Sequence, residues 1–345
     1  MRERGEIFDS GWVGAGEEDD LDRRLAAEAE PFDLRRPHVM TALGPIEPAA
    51  LGPTLAAERI SSGPPPSASN GEPADDPHAT LAELEDLYAA GGRAVLDATT
   101  DQGRDAAVLG WIAARAPVHL VAVTGVGSDA ISGGDSATLA ERLAASFVGE
   151  LTEGIAGTAI RAGAILVRMG DDGFGGGVAT AFRAAALAHR SIAAPILLRV
   201  ARPDLAPTAL AIMGGEGVAP ERVVVGGIAG RAEVRDLEAI LATGASLALD
   251  RLAGNGSWPV AEQAATIGDL VAAGHGDRLL LSPGLDRRSS LRAYGGEPGW
   301  VWLFERFALL LMETGLDAAA VRRLLVDNPA RALTIGVERD EKEGQ

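Results

Sequence analysis

Three aspartates lie at or just beyond the ends of predicted strands, where carboxyl groups could do chemistry. They are Asp97, Asp250 and Asp286. Two carboxyl groups held near each other can act as general acid and general base in one reaction. The sequence gives neither the distances between these side chains nor their pKa values, and strand-end acids also anchor arginines. The three aspartates are therefore catalytic candidates, with arginine pairing as the alternative.

Hydroxyl groups that could act as nucleophiles occur at strand ends as well, in Thr99, Thr124 and Ser282. Such a nucleophile needs a base, most often histidine, within hydrogen-bonding reach. None of the histidines lies at the C-terminal end of a predicted strand; they are His38, His78, His119, His189 and His275. The chain has no cysteine. The sequence therefore predicts neither a serine–histidine nor a cysteine–histidine hydrolase.

Short aliphatic runs alternate with longer helical stretches along most of the chain, as in successive βα units. The predicted strands are 54–60, 93–98, 118–124, 163–168, 195–200, 222–227, 245–249 and 278–282. The predicted helices are 79–90, 104–115, 139–153, 178–190, 205–213, 232–242, 258–273, 300–313 and 317–326. Eight strands with interleaved helices favour an α/β fold, a (β/α)8 TIM barrel, with its site at the carboxyl ends of the strands.

Length and composition agree with one large folded domain. The 345 residues are 47% hydrophobic, and 49 acidic against 31 basic side chains give a net charge of −18. A strongly acidic chain without a polybasic run is a poor partner for nucleic acid and for anionic membranes, so we expect neither. Residues 1–36 lack the pattern of a secretory signal, and no apolar run is long enough to span a bilayer. A cytoplasmic location is the expectation.

The chain ends differ in composition from the barrel. Residues 1–36 are rich in acidic side chains, which predicts a flexible N-terminal arm. Residues 37–338 are predicted to form the barrel, and residues 339–345 are predicted to form a disordered tail. An alternative for the arm is that it wraps a neighbouring subunit. The Pro-, Gly- and Ser-rich interval 61–78 follows the first strand and predicts no packed element.

Several segments together resemble the phosphotriesterase-related branch of the amidohydrolase superfamily. They are "ALGPIEPAALGPTLAAERI", "AGGRAVLDATTDQGRD", "EGIAGTAIRAGAILV", "YGGEPGWVWLFERF" and "LLVDNPARAL". The resemblance covers about residues 39–335 and implies a barrel hydrolase with two divalent cations. In the resembled family these cations are held by an H-x-H pair on the first strand, a carboxylated lysine on the fourth, histidines on the fifth and sixth, and an aspartate on the eighth.

Aligning the segments that resemble the family shows which residues of this chain stand at the six metal-ligand positions, and none of them is the residue type that the family has there. These are Ala57 and Arg59 for the H-x-H pair, Leu166 for the lysine, Arg199 and Gly227 for the later histidines, and Gly284 for the aspartate. Arginine keeps its proton and cannot bind a cation, and the other side chains carry no donor atom. We therefore expect no metal and no other cofactor. The sequence predicts a pseudo-hydrolase that serves as a ligand-binding or partner subunit.

By this resemblance, Arg59 and Arg199 project toward the barrel mouth, and Tyr294 lies at its rim. A guanidinium pair can hold a carboxylate or phosphate, so a small anion is the expected ligand of these three residues. The alternative is that each arginine is neutralised by a nearby acid, with Glu58, Asp97, Asp250 and Asp286 as candidates.

Three further hypotheses stay open at this point. The chain could form a homo-oligomer or a hetero-oligomer with an intact homologue. It could hydrolyse an anionic ester, lactone or amide without metal, using Arg59 and Arg199 to stabilise charge. It could also be a metal-dependent hydrolase with a different ligand set.

Overall fold

The computed structural model describes most of the chain between residues 32 and 336. The described ranges are 32–60, 76–100, 104–127, 131, 136–170, 173–175, 177–228, 230–253, 258–285 and 287–336. Residues 1–31 of the predicted arm, the predicted tail 339–345, most of the interval 61–78 and Asp286 lie outside the described residues. Residues 32–36 of the predicted arm lie inside them, and Arg36 forms a 2.8 Å ion pair with Glu47.

A short antiparallel hairpin comes first, with β1 at Val39–Thr41 and β2 at Gly44–Ile46. It packs at the N-terminal end of the barrel, where the Ala42 amide donates to the Leu120 carbonyl at 2.7 Å. This hairpin is not predicted from the sequence, because its strands are only three residues long.

Eight parallel strands then form one nearly closed barrel in the order in which they occur in the chain. They are β3 (Thr54–Glu58), β4 (Ala94–Asp97), β5 (His119–Gly127), β6 (Ala162–Met169), β7 (Ile196–Val200), β8 (Val223–Gly226), β9 (Ser246–Leu249) and β10 (Leu279–Leu281). Each lies at a position where the sequence predicted a strand. The predicted (β/α)8 barrel is confirmed.

Helices connect the strands and close the chain. Those in the described part are α1 (Pro77–Ala89), α2 (Ala106–Ala113), α3 (Ala137–Thr152), α4 (Val178–Ile192), α5 (Ala206–Gly215), α6 (Val234–Ala242), α7 (Val260–Leu270), α8 (Ala308–Glu313), α9 (Ala318–Arg322) and α10 (Asn328–Ala332). The Asp105 carboxylate starts α2 by accepting hydrogen bonds from the amides of Ala107 and Val108, as an N-cap residue does. None of the described helices is long and apolar enough to cross a membrane.

Successive apolar side chains along the strands point alternately into the barrel and toward the helices, and so form two apolar layers. Inside the barrel, Leu166, Leu197 and Val224 pack in one cluster. Val167 and Leu198 face the helices in the other. Because successive side chains of a strand point to opposite faces, this assignment also fixes the face of each polar residue that follows.

Candidate functional site

Several charged residues of the described ranges lie at the carboxyl ends of the strands, the end of the barrel that we call the mouth. Arg168 lies between Val167 and Met169, which face the helices, and Arg199 between Leu198 and Val200, which do the same. The same alternation puts Asp250 on the interior side, since Leu249 faces the helices. Arg59 directly follows β3, at the same end of the barrel. Among the described residues, the mouth therefore carries Arg59, Arg168, Arg199 and Asp250.

Arg199 is paired with Asp250, as one alternative from the sequence predicted. The Arg199 Nη1 atom lies 2.6 Å from Asp250 Oδ2, and the two side chains are 17% and 2% exposed. The amide of Gly227 also donates to both Asp250 oxygens, at 3.0 and 3.2 Å. A charge-assisted hydrogen bond in a largely buried site holds both groups in place. Asp250 thereby fixes the position of Arg199.

Arg59 differs from Arg199. It is partly exposed, and within the described residues its guanidinium has no ion-pair or hydrogen-bond partner. Its carbonyl oxygen accepts from Nη1 of Arg288 at 3.0 Å, which fixes the main chain at this point. Among the described residues, no acid neutralises Arg59.

Glu58, one of the acids considered as a partner of the arginines, binds elsewhere. Its carboxylate accepts from the Ser282 hydroxyl at 2.6 Å and from the amides of Gly284 and Leu285 at 2.7 and 3.0 Å. Nε1 of Trp300 donates to it at 3.0 Å. Glu58 is only 2% exposed. It therefore joins the end of β3 to the segment after β10, where the barrel closes.

Asp97 lies on the other side of the barrel wall from Asp250, because alternation turns it toward the helices. Its Oδ1 atom accepts from the Thr99 hydroxyl at 2.6 Å and from the amides of Thr99 and Ile60. Burial raises the pKa of the Asp97 carboxyl, against the lowering effect of these hydrogen bonds and of the Arg288 charge. The structure does not bring Asp97 and Asp250 together as an acid–base pair.

The hydroxyl candidates are not arranged for nucleophilic attack. Thr99 donates to Asp97, and Ser282 donates to the buried Glu58. The Thr124 hydroxyl is buried without a hydrogen-bond partner. None of these hydroxyl groups donates to a histidine, the base that most often activates such a nucleophile.

Tyr294 lies over the start of α1. Its hydroxyl accepts from the Asp76 amide at 2.8 Å and donates to the Asp76 carbonyl at 3.1 Å. The two hydrogen bonds hold the first residue before α1 in place. The Tyr294 hydroxyl therefore already has main-chain partners.

The residues present do not fit the two divalent cations that the resembled family holds at this end of the barrel. Leu166 belongs to the apolar interior layer. Gly284 has a φ of +68°, and a Cβ atom there would lie 2.0 Å from the Asp250 carbonyl oxygen. In the described part of the chain, no group of three or more histidine, cysteine, aspartate or glutamate side chains could hold a metal ion. A carboxylate cannot occupy position 284 on this backbone.

Arg168 lies at the mouth but is not among the candidate residues predicted from the sequence. Its Cα atom pairs in register with that of Arg199 on the neighbouring strand. The sequence did indicate this position, because Arg168 is the last residue of the predicted strand 163–168 and Arg199 is the next-to-last residue of the predicted strand 195–200. It was overlooked because position 168 is not a metal-ligand position in the resembled family.

Comparison with known proteins agrees with the fold and with the resemblance. The chain matches the Phosphotriesterase family over residues 37–333. It is 30% identical over 256 residues to the phosphotriesterase homology protein of Escherichia coli (strain K12), covering 72% of this chain and 86% of that protein. It is 27% identical over 316 residues to the phosphotriesterase homology protein of Mycobacterium tuberculosis (strain CDC 1551 / Oshkosh), covering 86% and 97%.

Solved structures show the same barrel. A lactonase from Listeria monocytogenes superposes with a TM-score of 0.80 at 24% identity, over 87% of this chain and 100% of that one. The phosphotriesterase homology protein from Escherichia coli, solved in complex with phosphate in its active site, superposes with a TM-score of 0.75 at 26% identity, over 82% and 99%.

Proposed function

Because this chain belongs to the phosphotriesterase family, we propose that it keeps the barrel of a metal hydrolase but binds a small anion at the mouth through arginine side chains. In this proposal it has lost the binuclear metal centre and does not hydrolyse its ligand. It acts as a binding subunit, alone or beside a metal-bearing member of the family.

The observation that carries this proposal is the Arg59 guanidinium. It stands at the mouth of a chain with a net charge of −18, and the described residues supply it with no acid. A partly buried guanidinium without a counter-charge is costly, and a bound carboxylate or phosphate relieves that cost by bidentate hydrogen bonds.

The phosphate in the active site of the Escherichia coli relative supports an anion at this end of the barrel. In the chain described here, arginines stand at positions 59 and 199, where the resemblance places metal-binding histidines. We propose that positive charge from guanidinium groups replaces positive charge from metal ions, which preserves attraction for an anion and removes the means to activate water.

The absence of turnover follows from the roles of the remaining side chains. Asp250 is committed to Arg199, and Asp97 faces away from the mouth. Of the strand-end hydroxyls in the described ranges, Thr99 and Ser282 donate to the buried carboxyl groups of Asp97 and Glu58, and Thr124 has no hydrogen-bond partner, so none of the three donates to a histidine. General acid–base catalysis needs at least one proton-transfer group positioned at the ligand.

The test is anion binding by the Arg59→Gln variant, measured by isothermal titration calorimetry with inorganic phosphate. Hydrogen bonds to a charged group contribute about 1.5–3 kcal/mol, so we expect the affinity to fall by about 10- to 100-fold. Arg161→Gln is the matched control, because Arg161 precedes β6 at the opposite end of the barrel and its loss changes the net charge equally. Its affinity should stay close to that of the unmodified protein.

Equal phosphate affinity of Arg59→Gln and the unmodified protein would contradict the proposal. Turnover of an anionic ester that a chelator leaves unchanged and that Arg199→Ala abolishes would favour the metal-independent hydrolase instead.

A further inference from the structure

We infer that Arg288 is a positioning residue of the anion site, because its guanidinium holds the backbone turn from which the Arg59 side chain projects. This inference rests on the proposed function and adds a second arginine on which the anion affinity depends. Arg288 is almost fully buried, with 7% of its surface exposed. It therefore acts through Arg59 and not on the ligand itself.

Arg288 binds two consecutive main-chain carbonyl groups just beyond the end of β3. Its Nη1 atom donates to the Arg59 carbonyl oxygen and its Nη2 atom to the Ile60 carbonyl oxygen, both at 3.0 Å. Successive carbonyl groups of a continuing strand point in opposite directions, toward the strands on its two sides. Because one guanidinium binds both carbonyl groups, the chain turns out of the strand here, directly after Glu58, the last residue of β3.

The peptide units on both sides of the Arg59 Cα atom are held by hydrogen bonds. The unit before it contains the Glu58 carbonyl, which accepts from the Ala98 amide at 2.8 Å. The unit after it contains the carbonyl bound by the guanidinium and the Ile60 amide, which donates to Asp97 Oδ1 at 3.2 Å. A peptide unit is planar, so its orientation is set once its hydrogen-bonding groups are held. Two fixed planes determine φ and ψ of the residue between them, and therefore the direction in which its Cβ atom points.

Arginine suits this position better than any other side chain. Its planar fork presents two donors at a fixed spacing, whereas lysine offers one charge on a flexible stem. The charge of Arg288 also lies near the Asp97 carboxyl: burial raises the pKa of that carboxyl, and the Arg288 charge opposes the rise. Asp97 and Arg288 thus bind the same peptide unit, and each favours the charged form of the other.

The experiment measures phosphate affinity by isothermal titration calorimetry in Arg288→Lys, which keeps the net charge but cannot bind both carbonyl groups. Without a fixed turn the Arg59 guanidinium loses part of its hydrogen-bond geometry, so we expect about five- to tenfold weaker binding. Arg287→Lys is the matched control, because Arg287 is the neighbouring residue and is exposed. Its affinity should stay within about twofold of that of the unmodified protein.

A second pair of variants repeats the comparison with one charge removed from each member. Arg288→Gln should bind phosphate at least about fivefold more weakly than Arg287→Gln, since both lose the same charge and only the first loses the turn. Thermal unfolding of all four variants checks that each is folded at the temperature of the titration.

A double variant separates positioning from a general effect on the fold. In the Arg59→Gln background, Arg288→Lys should change phosphate affinity by less than about twofold, because the side chain that it positions is gone. An equal loss in both backgrounds, or no loss in Arg288→Lys where Arg59→Gln alone weakens binding, would overturn the inference and leave the proposed anion site standing. Unchanged affinity in Arg59→Gln would overturn both.

Discussion

Replacing Glu58 by alanine is expected to lower the free energy of unfolding by about 4 kcal/mol or more. The carboxylate accepts hydrogen bonds from the Ser282 hydroxyl, the Gly284 and Leu285 amides and the Trp300 indole. Alanine would leave these four donors without their acceptor in a region that excludes water. An unsatisfied buried donor costs about 1–3 kcal/mol, so the sum is a large part of the stability of a single domain.

Chemical denaturation followed by tryptophan fluorescence measures this effect. Glu85→Ala is the control, because Glu85 lies on the exposed side of α1 and its loss should change stability by less than about 0.5 kcal/mol. Glu58→Gln keeps one acceptor oxygen, so its free energy of unfolding should lie between those of Glu58→Ala and Glu85→Ala. A Glu58→Ala variant as stable as Glu85→Ala would show that this carboxylate does not hold the barrel closed.

Introducing an aspartate at position 284 is expected to destabilise the protein by about 3 kcal/mol or more and to create no metal site. The backbone there has a φ of +68°, and the new Cβ atom would lie 2.0 Å from the Asp250 carbonyl oxygen and 2.7 Å from the Arg251 Cα atom. Both neighbours are backbone atoms, so the strain cannot be relieved by turning a side chain.

The Gly295→Asp variant shows how much of the loss of stability comes from the positive φ alone, without a steric clash. Gly295 has a φ of +80°, but a Cβ atom added there would meet no atom within 4 Å, so we expect a loss of only about 1 kcal/mol. Thermal unfolding of both variants, with and without zinc, gives the comparison. A Gly284→Asp protein that matches Gly295→Asp in stability and gains stability from zinc would refute the prediction.

The barrel could be predicted from the sequence because its signal is repeated. Each strand is a short aliphatic run followed by a helix, and all eight predicted strands are present. The hairpin at Val39–Ile46 has no such repeat, and three-residue strands carry too little alternation to be recognised.

The site could be predicted only in part. Positions 59 and 199 were found because they coincide with ligand positions of a resembled family. The choice of Asp250 over Asp97 as the partner of Arg199 depends on which side of the barrel wall each side chain faces. The contacts of Glu58 join residues more than 220 positions apart, and Glu83 likewise accepts from the Trp300 amide at 2.9 Å. Pairings this distant in the chain leave no periodic pattern.

The most direct test of the loss of the metal centre is the metal content of the purified protein. The chain is produced in cells supplied with zinc, manganese and iron, dialysed against metal-free buffer and analysed by inductively coupled plasma mass spectrometry. Because Ala57, Leu166 and Gly284 offer no donor atoms, we predict far less than one transition-metal ion per chain. About two ions per chain, removed by a chelator with a fall in thermal stability, would contradict the loss of the metal centre.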